Sequence, residues 1–463
     1  MEISLKSKLA ITASAVLLLF SLAAHLGCRR EKVPGLYRPT NAHENYLHSL
    51  RLARLADTAL GRDWIAASQK CLRAPIDVTP PFEEIFYADP KEAFAVAYRF
   101  QVKRGQRVEL EAVWSGPKPP RLFMDLFRAP DSDGQEWLQV ASADMETNRL
   151  TFEPRREGGY VVRLQPELLR GGPCRVTIRI GASLGFPVKG QDTRSFGGGF
   201  GALRAGGRLH RGVDIFAKRH TEVLAPARAR VRFVGENDLG GSVIWLYDTD
   251  RSLHYYFAHL QTQRVEAGTM VEPGQVIGTV GNSGNARKTP PHLHFGIYAD
   301  NEGGVDPHYF LARTHMVTTP VTAGLQSLGR WVRSMTTKVV LGTSAEARSR
   351  ASIVLDQYSP MQILAASGGM YRVLLPDGLS GYVPADSVEP AERALENPEA
   401  ADSLTVKEVP VNGALAKESV GRGEAFSVLG QYKGFWLVRT NQGHTGWIQI
   451  PVVSTNGRHP PNL

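Results

Sequence analysis

"TPPHLHFGIY", Thr289 to Tyr298, carries two histidines one residue apart, His292 and His294. Successive side chains of a strand point to opposite faces, so both imidazoles project to one side and Leu293 to the other. Pro290 and Pro291 cannot extend a central ladder, which puts the strand's start just before His292. Such a pair is weak alone, because paired histidines also occur on solvated faces. Upstream, "RLHRGVDIFAKRHTEVLAP" sets His210 four residues before Asp214. Gly212 allows a bend between them, and Val213 to Phe216 reads as a strand. "LHYYFAHL" ends a strand at His259. His254, on the same strand but out of phase with His259, is predicted to face the opposite side. His210, Asp214, His259, His292 and His294 all fall at strand entrances or ends, where loops gather.

Imidazole and carboxylate together are zinc chemistry. Zn2+ takes neutral histidine and aspartate in tetrahedral geometry, and a catalytic site keeps its fourth position open. Two histidines and one aspartate make three ligands, leaving two histidines for catalysis. That count suits a metal-assisted hydrolase better than a structural site closed by four ligands.

The ordered motifs "HRGVD", "YFAHL" and "HLHF" resemble those of the LytM-type (lysostaphin-like, M23) zinc endopeptidases of bacterial cell walls. The Gly-rich "GTMVEPGQVIGTVGNSGN" between them is similar to that family's hairpins, and the resemblance covers about Phe196 to Asp306. It implies that His210, Asp214 and His294 are the zinc ligands and that His259 and His292 are the catalytic histidines. It also implies the substrate class, amide bonds in the peptide cross-links of peptidoglycan. The sequence departs from the family at two places: His220 stands where glycine is frequent, and Gly296 where glutamate is frequent. Other readings are a catalytically silent LytM-domain activator of wall hydrolases, or a wall-binding protein with a structural metal. The hairpins are also similar to lipoyl and biotinyl carriers, but those need a modifiable lysine at a hairpin tip, and Lys288 has no such context.

The elements that must position these residues read as a mainly β, multidomain chain. A helical segment spans 41–75, with Gly61 as the expected break. Residues 76–185 alternate as a β-sandwich ("AFAVAYRFQV", "QRVELEAVW", "RLFMDLFRA", "GGYVVRLQ", "CRVTIRIG"). The segment 186–315 is the expected LytM-type β-barrel or sheet domain, and "VTTPVTAGLQSLGRWVRS" reads as a polar linker. Residues 336–390 and 402–453 are an internal repeat: Tyr371 matches Trp436, Val373 Val438, Gly378 Gly443, Gly381 Gly446 and Tyr382 Trp447. Each copy resembles a small bacterial SH3-like β-barrel. The repeats carry core aromatics but no metal-ligand set, so targeting to the wall polymer is the role expected of them.

The chain has 463 residues, too long for one core, with 42% hydrophobic and 21% charged residues, as in ordinary globular protein. Its net charge of +9 favours anionic partners such as acidic wall polymers. No basic run stands beside stacked aromatics, so nucleic acid is not an expected partner. Residues 1–28 have Lys6 and Lys8, an apolar run, then Leu26-Gly27-Cys28, the layout of a secretory signal. Extended to Gly27, the run is about 19 residues, near the length of a membrane span. Leu26-Gly27-Cys28 also resembles a lipoprotein cleavage site, although His25 occupies the position where that pattern prefers leucine. Either reading holds the chain at a membrane, exported and facing the periplasm or cell wall, where regulatory cell-envelope proteins are possible partners. In that oxidising setting Cys71 and Cys174 either pair or remain free.

Overall fold

The structure, a computed structural model, describes residues 41–116, 119–130, 137–204, 207–300, 302–312, 317–345 and 351–450. The expected signal or anchor, with Cys28, lies outside the described residues, as do 313–315 and 451–453. Among the described residues no helix is long and apolar enough to cross a membrane.

Helices α1 (Ala42–Leu52) and α2 (Ala59–Arg73) fill the segment expected to be helical. The break falls between them, ahead of Gly61. Thr58 caps α2, its hydroxyl accepting from the Gly61 amide. α2 packs on the sandwich: Trp64 Nε1 donates to the Pro166 carbonyl at 2.9 Å, and Gln165 Nε2 to the Trp64 carbonyl at 2.8 Å.

The sandwich has strands β1 (Ile76–Asp77), β2 (Phe82–Ala88), β3 (Val96–Val102), β4 (Gln106–Trp114), β5 (Leu122–Arg128), β6 (Leu138–Ser142), β7 (Arg149–Phe152), β8 (Gly158–Pro166) and β9 (Gly172–Ala182). One sheet runs β1-β3-β8-β5-β6 and the facing one β2-β9-β4-β7. Phe86, Tyr98, Phe100, Leu110, Leu126, Val162 and Ile178 fill the space between them. Cys174 is buried there and Cys71 is partly buried on α2; both are free thiols. Burial pushes the Cys71 thiol up to about 11 and raises that of Cys174 as well.

The next sheet contains β10 (Phe196–Gly198), β11 (Val213–Phe216), β12 (Glu222–Leu224), β13 (Ala229–Asn237), β14 (Gly241–Asp248), β15 (Leu253–Gln263), β16 (Met270–Val271), β17 (Val276–Val280), β18 (His292–Ala299) and β19 (Gly303–Val305). Its main path is β10-β11-β18-β15-β14-β13-β16. Val213, Ile215, Tyr255, Phe257, Leu293, Phe295 and Ile297 point into one core. Their neighbours in sequence are thereby presented on the other face. The sheet abuts the sandwich through Arg251, which forms a two-pronged pair with Glu153 at 2.7 and 2.8 Å and also binds the buried Asp248 at 2.9 Å.

The remaining strands are β20 (Trp331–Ser334), β21 (Val339–Gly342), β22 (Ala351–Leu355), β23 (Pro360–Ser367), β24 (Met370–Leu374), β25 (Ser380–Pro384), β26 (Val388–Pro390), β27 (Leu404–Lys407), β28 (Ala416–Val420), β29 (Ser427–Tyr432), β30 (Phe435–Arg439) and β31 (Thr445–Gln449). The repeat is exact in topology: β22-β21-β25-β24-β23 and β28-β27-β31-β30-β29 are the same order. Even the irregularity recurs, between Ile363 and Ala365 in one copy and Val428 and Gly430 in the other. Each copy is an open path, with no pairing among the described residues that closes it into a barrel.

Two expectations change here. The linker is not a linker: its Trp331–Ser334 is strand β20, pairing with β23 and β26, and Ala323 and Leu328 are buried. The first repeat is also not a separate unit. Strand β23 pairs with β2 (Ile85↔Ala366, Phe86↔Ala365), making one sheet continuous from sandwich to repeat. Its seam is polar and sealed. Fully buried Glu84 accepts from Arg372 Nη2 at 3.0 Å, from the Tyr98 hydroxyl at 2.6 Å and from the Tyr382 hydroxyl at 3.0 Å.

Candidate metal centre and cleft

Asp214 and His294 are direct antiparallel partners on β11 and β18, and Phe216 and His292 are the next such pair. Directly opposed side chains on one face of a sheet lie close enough to touch. Gly212 permits the approach: a Cβ there would meet the Phe295 carbonyl oxygen at 2.4 Å and His294 Cε1 at 3.0 Å. His210 arrives from the loop before β11, its amide bound to the Ala202 carbonyl at 2.8 Å.

The resulting geometry gathers electron donors. His210 Nε2 lies 2.9 Å from His294 Nδ1, and Asp214 Oδ1 lies 3.1 Å from each of those nitrogens. One donor atom from each residue fits within 4.8 Å of the others. Two imidazole lone pairs and a carboxylate oxygen aimed at one point fit a divalent cation of the zinc type. The surroundings fix the donors. His210 Nδ1 lies 2.9 Å from the Gly199 carbonyl and 3.0 Å from Arg204 Nη2, so the ring is held by Nδ1 and turns Nε2 towards Asp214 and His294. Arg204 Nη2 binds the second Asp214 oxygen, Oδ2, at 2.5 Å. Burial pushes the Asp214 carboxyl upward, but its bonds to His210 and His294 prevail and hold it well below the usual carboxylate range. His294 is lowered by burial, against the pull of Asp214.

His259 and His292 stand beside this cluster, their rings 5.0 Å apart, with the His259 ring 6.1 Å from that of His294. Each has Nδ1 tied to a carbonyl at 2.9 Å, Ser283 for His259 and Pro290 for His292. Nε2 of each is thus the nitrogen left for a substrate. Burial, and then the charge of His292, bring His259 down to about 4, so it is neutral at pH 7.

The strand does not end at His259, and alternation does not carry that residue to the cleft. β15 runs on to Gln263. His259 has φ 62°, and the register slips by one residue between Ser242↔Leu260 and Ile244↔Phe257. This is a bulge on β15: Ala258 and His259 both line the cleft while Phe257 and Leu260 both enter the core. It follows that His254, two and four residues before Tyr256 and Ala258, shares the cleft face rather than the opposite one. There it stacks on Tyr247 at 4.6 Å and binds Asp300 at 3.1 Å, away from the metal cluster. His220 takes φ 72°, the left-handed backbone that favours glycine.

The cleft has a volume of about 780 Å³. Besides the five expected residues it is lined by Arg204, Arg208, Arg211, Tyr256 and Tyr298, to which the motifs assigned no role although Arg211 lies within "HRGVD" and Tyr256 opens "YFAHL". Tyr256 lies one bulge away from His259, and the arginines sit in the loop ahead of β11 and at its edge. Alternation of strand residues marks neither.

Comparison with known proteins agrees with this geometry. Residues 208–307 match the sequence model of Peptidase family M23. The L-Ala–D-Glu endopeptidase of Bacillus subtilis (strain 168) is 42% identical over 127 residues, 25% of this chain and 36% of that protein. The peptidoglycan DD-endopeptidase ShyC of Vibrio cholerae is 34% identical over 88 residues, 19% of this chain and 20% of that protein. This chain thus spans well under half the length of either relative. The solved catalytic domain of the antimicrobial peptidase lysostaphin from Staphylococcus simulans is 33% identical, covering 25% of this chain and 90% of that one, with a TM-score of 0.24.

Proposed function

We propose that this protein is an exported zinc metalloendopeptidase that hydrolyses peptide amide bonds of bacterial peptidoglycan. The observation that carries the reading is the convergence of His210, Asp214 and His294 beside two histidines whose Nδ1 atoms are both anchored. The M23 match and the names of its endopeptidase relatives support the bond type and the polymer. His210, Asp214 and His294 would hold zinc, which supplies Lewis acidity at the scissile carbonyl and to the attacking water. His259, neutral and fixed through Ser283, accepts a proton from that water at Nε2. The proton that His259 accepts passes on to the leaving nitrogen, and His292, its Nδ1–H fixed by Pro290, would steady the oxyanion from Nε2 only as the imidazolium. Arg204 keeps one Asp214 oxygen engaged and so presents the other towards the metal.

The basic, apolar, cysteine-ended N-terminus supports attachment to a membrane outside the cytoplasm, by an uncleaved anchor or a lipid on Cys28. The two repeats, read as SH3-like modules, would engage the wall polymer. Digestion of purified peptidoglycan with and without a chelator, followed by mass analysis of the fragments, tests the reading. Chelator-sensitive release of peptides cut at one amide is expected; unchanged sacculi in the presence of zinc would sink it.

A further inference from the structure

We infer that the sheet face running on from His294 is an aromatic platform for the sugar rings of the glycan strand that bears the substrate peptide. This rests on the endopeptidase reading of the adjoining cleft. The residues follow from the register. Ala258, His294 and Asp214 stand opposite one another across β15, β18 and β11. Two residues further along β18, Phe233, Trp245, Tyr256 and Gly296 form the next row, each directly paired with its neighbour across β13, β14, β15 and β18. Tyr247, His254 and Tyr298 form the row after that. Directly opposed residues share a face, so these rings lie on the cleft side while Leu246, Tyr255 and Phe257 enter the core.

The rings make one surface. By ring centres, Trp245 lies 4.5 Å from Tyr256 and 5.3 Å from Tyr298, and Tyr247 lies 4.6 Å from His254. Gly296 makes room for it: a Cβ there would meet Tyr298 Cε2 at 2.9 Å, so a side chain would displace the ring against which Trp245 packs. Phe233 lies over Gly235, where a Cβ would meet its Cζ at 2.6 Å. Phe233 is 47% exposed and the other rings are half-buried, which leaves aromatic surface open to solvent. Among the described residues the Trp245 indole N–H and the Tyr298 hydroxyl have no hydrogen-bond partner. The ionisable His254 is already held by Asp300, at 3.1 Å, so the surface suits a neutral guest. A pyranose ring is its complement, with a face of C–H bonds for the electron-rich ring faces and hydroxyls at the rim for the free N–H and O–H. The platform is continuous with the cleft, because Tyr256 and Tyr298 line both. Its two rows lie about 7 and 13 Å from His294 along β18, the span of about two to four extended peptide residues. A stem peptide held in the cleft therefore brings its own sugar within reach of these rings.

The test uses the zinc-loaded full chain and two soluble substrates from one purified peptidoglycan: a stem peptide that keeps its disaccharide and the same peptide with the sugar removed. kcat/KM is compared for both. The sugar-bearing substrate is expected to be preferred by about 3-fold to 10-fold, the scale of one aromatic stacking contact. That ratio should hold as salt rises, since no charge carries it. Trp245→Ala should bring the ratio towards one. Trp245→Phe should restore part of it, which also controls for folding, and Phe233→Ala, at an exposed position, should lower it by less. Equal kcat/KM on the two substrates in the wild type, or an unaltered ratio in Trp245→Ala, would overturn the platform; the first outcome would leave this face to a protein partner. If neither substrate is cut, the endopeptidase reading fails. The platform is then judged by equilibrium binding of peptide-free glycan oligomers from the same peptidoglycan. Weaker binding by Trp245→Ala than by the wild type upholds it, and equal affinities overturn it.

Discussion

Two clusters of ionisable groups in this protein are built from similar parts and do opposite things. At the cleft, His210, Asp214, His259, His292 and His294 face a space of about 780 Å³. At the seam between sandwich and first repeat, Glu84, Arg372, Tyr98 and Tyr382 face one another and nothing else. In the seam every polar contact is internal and the pair is shut away from water. Burial raises the Tyr98 and Tyr382 hydroxyls far above their ordinary range and, with the charge of Glu84, keeps them neutral donors. In the cleft, backbone carbonyls hold Nδ1 of His210, His259 and His292, and Arg204 holds Oδ2 of Asp214, so that Nε2 of each of these histidines is left for the open space. A satisfied cluster joins parts of a fold; a cluster whose donors converge beside open space can hold a metal ion.

The sharpest way to break the comparison is to remove a donor from the open cluster. His294→Ala should lose most bound zinc by elemental analysis and, with it, essentially all hydrolysis. Wild-type zinc content in that variant would disprove the ligand set. Next in size, His259→Ala and His292→Ala should retain zinc yet lose about 100-fold to 10,000-fold in kcat. Near-normal turnover by either variant removes that residue from the mechanism.

The closed cluster should respond in stability instead. Glu84→Ala strands Arg372 in the interior, and breaking a buried pair costs about 3–5 kcal/mol. Urea midpoints measure it, with zinc content the control that the cleft is untouched. A loss under about 1 kcal/mol would mean the seam is wetter than its geometry. For the same reason a chain ended near residue 315 should aggregate, because it exposes the β2 edge and unpairs Glu84. A monomeric, two-state fragment would show that the first repeat is dispensable to the sandwich. The smallest effect is expected at the rim. Arg204→Ala should weaken zinc affinity by about 10-fold to 100-fold while the fold stays intact. Competition with a chromogenic chelator reads this directly, and unchanged affinity would assign Arg204 to the substrate alone.

The two repeats extend the lesson. They share strand order and even the same irregularity, yet Tyr382 of the first reaches Glu84 and its counterpart Trp447 packs into the core the two repeats share, 6.3 Å from Trp331. The internal pattern of the duplication was legible because the core residues recur at one constant offset. The surfaces were not, because what each copy packs against lies far away in the chain.

By itself the sequence determined the types and order of the reactive residues. Asp214, His292 and His294 were legible because strand alternation is local: β11 and β18 are regular, and period two holds along them, while His210, in the loop ahead of β11, was marked by its spacing to Asp214. It also determined the sandwich strands that alternate cleanly. Strand β2 was hidden because Glu83 and Glu84 break its apolar pattern, and Glu84 is tolerable inside only because Arg372, 288 residues away, neutralises it. The tertiary structure alone decided that His259 faces the cleft, since a one-residue bulge reverses the phase of everything before it. It alone gathered Arg204, Arg208, Arg211, Tyr256 and Tyr298 around His210, Asp214 and His294. Alternation fixes which face a side chain takes within one strand; which strands lie side by side, and where the register slips, depends on contacts that no local window contains.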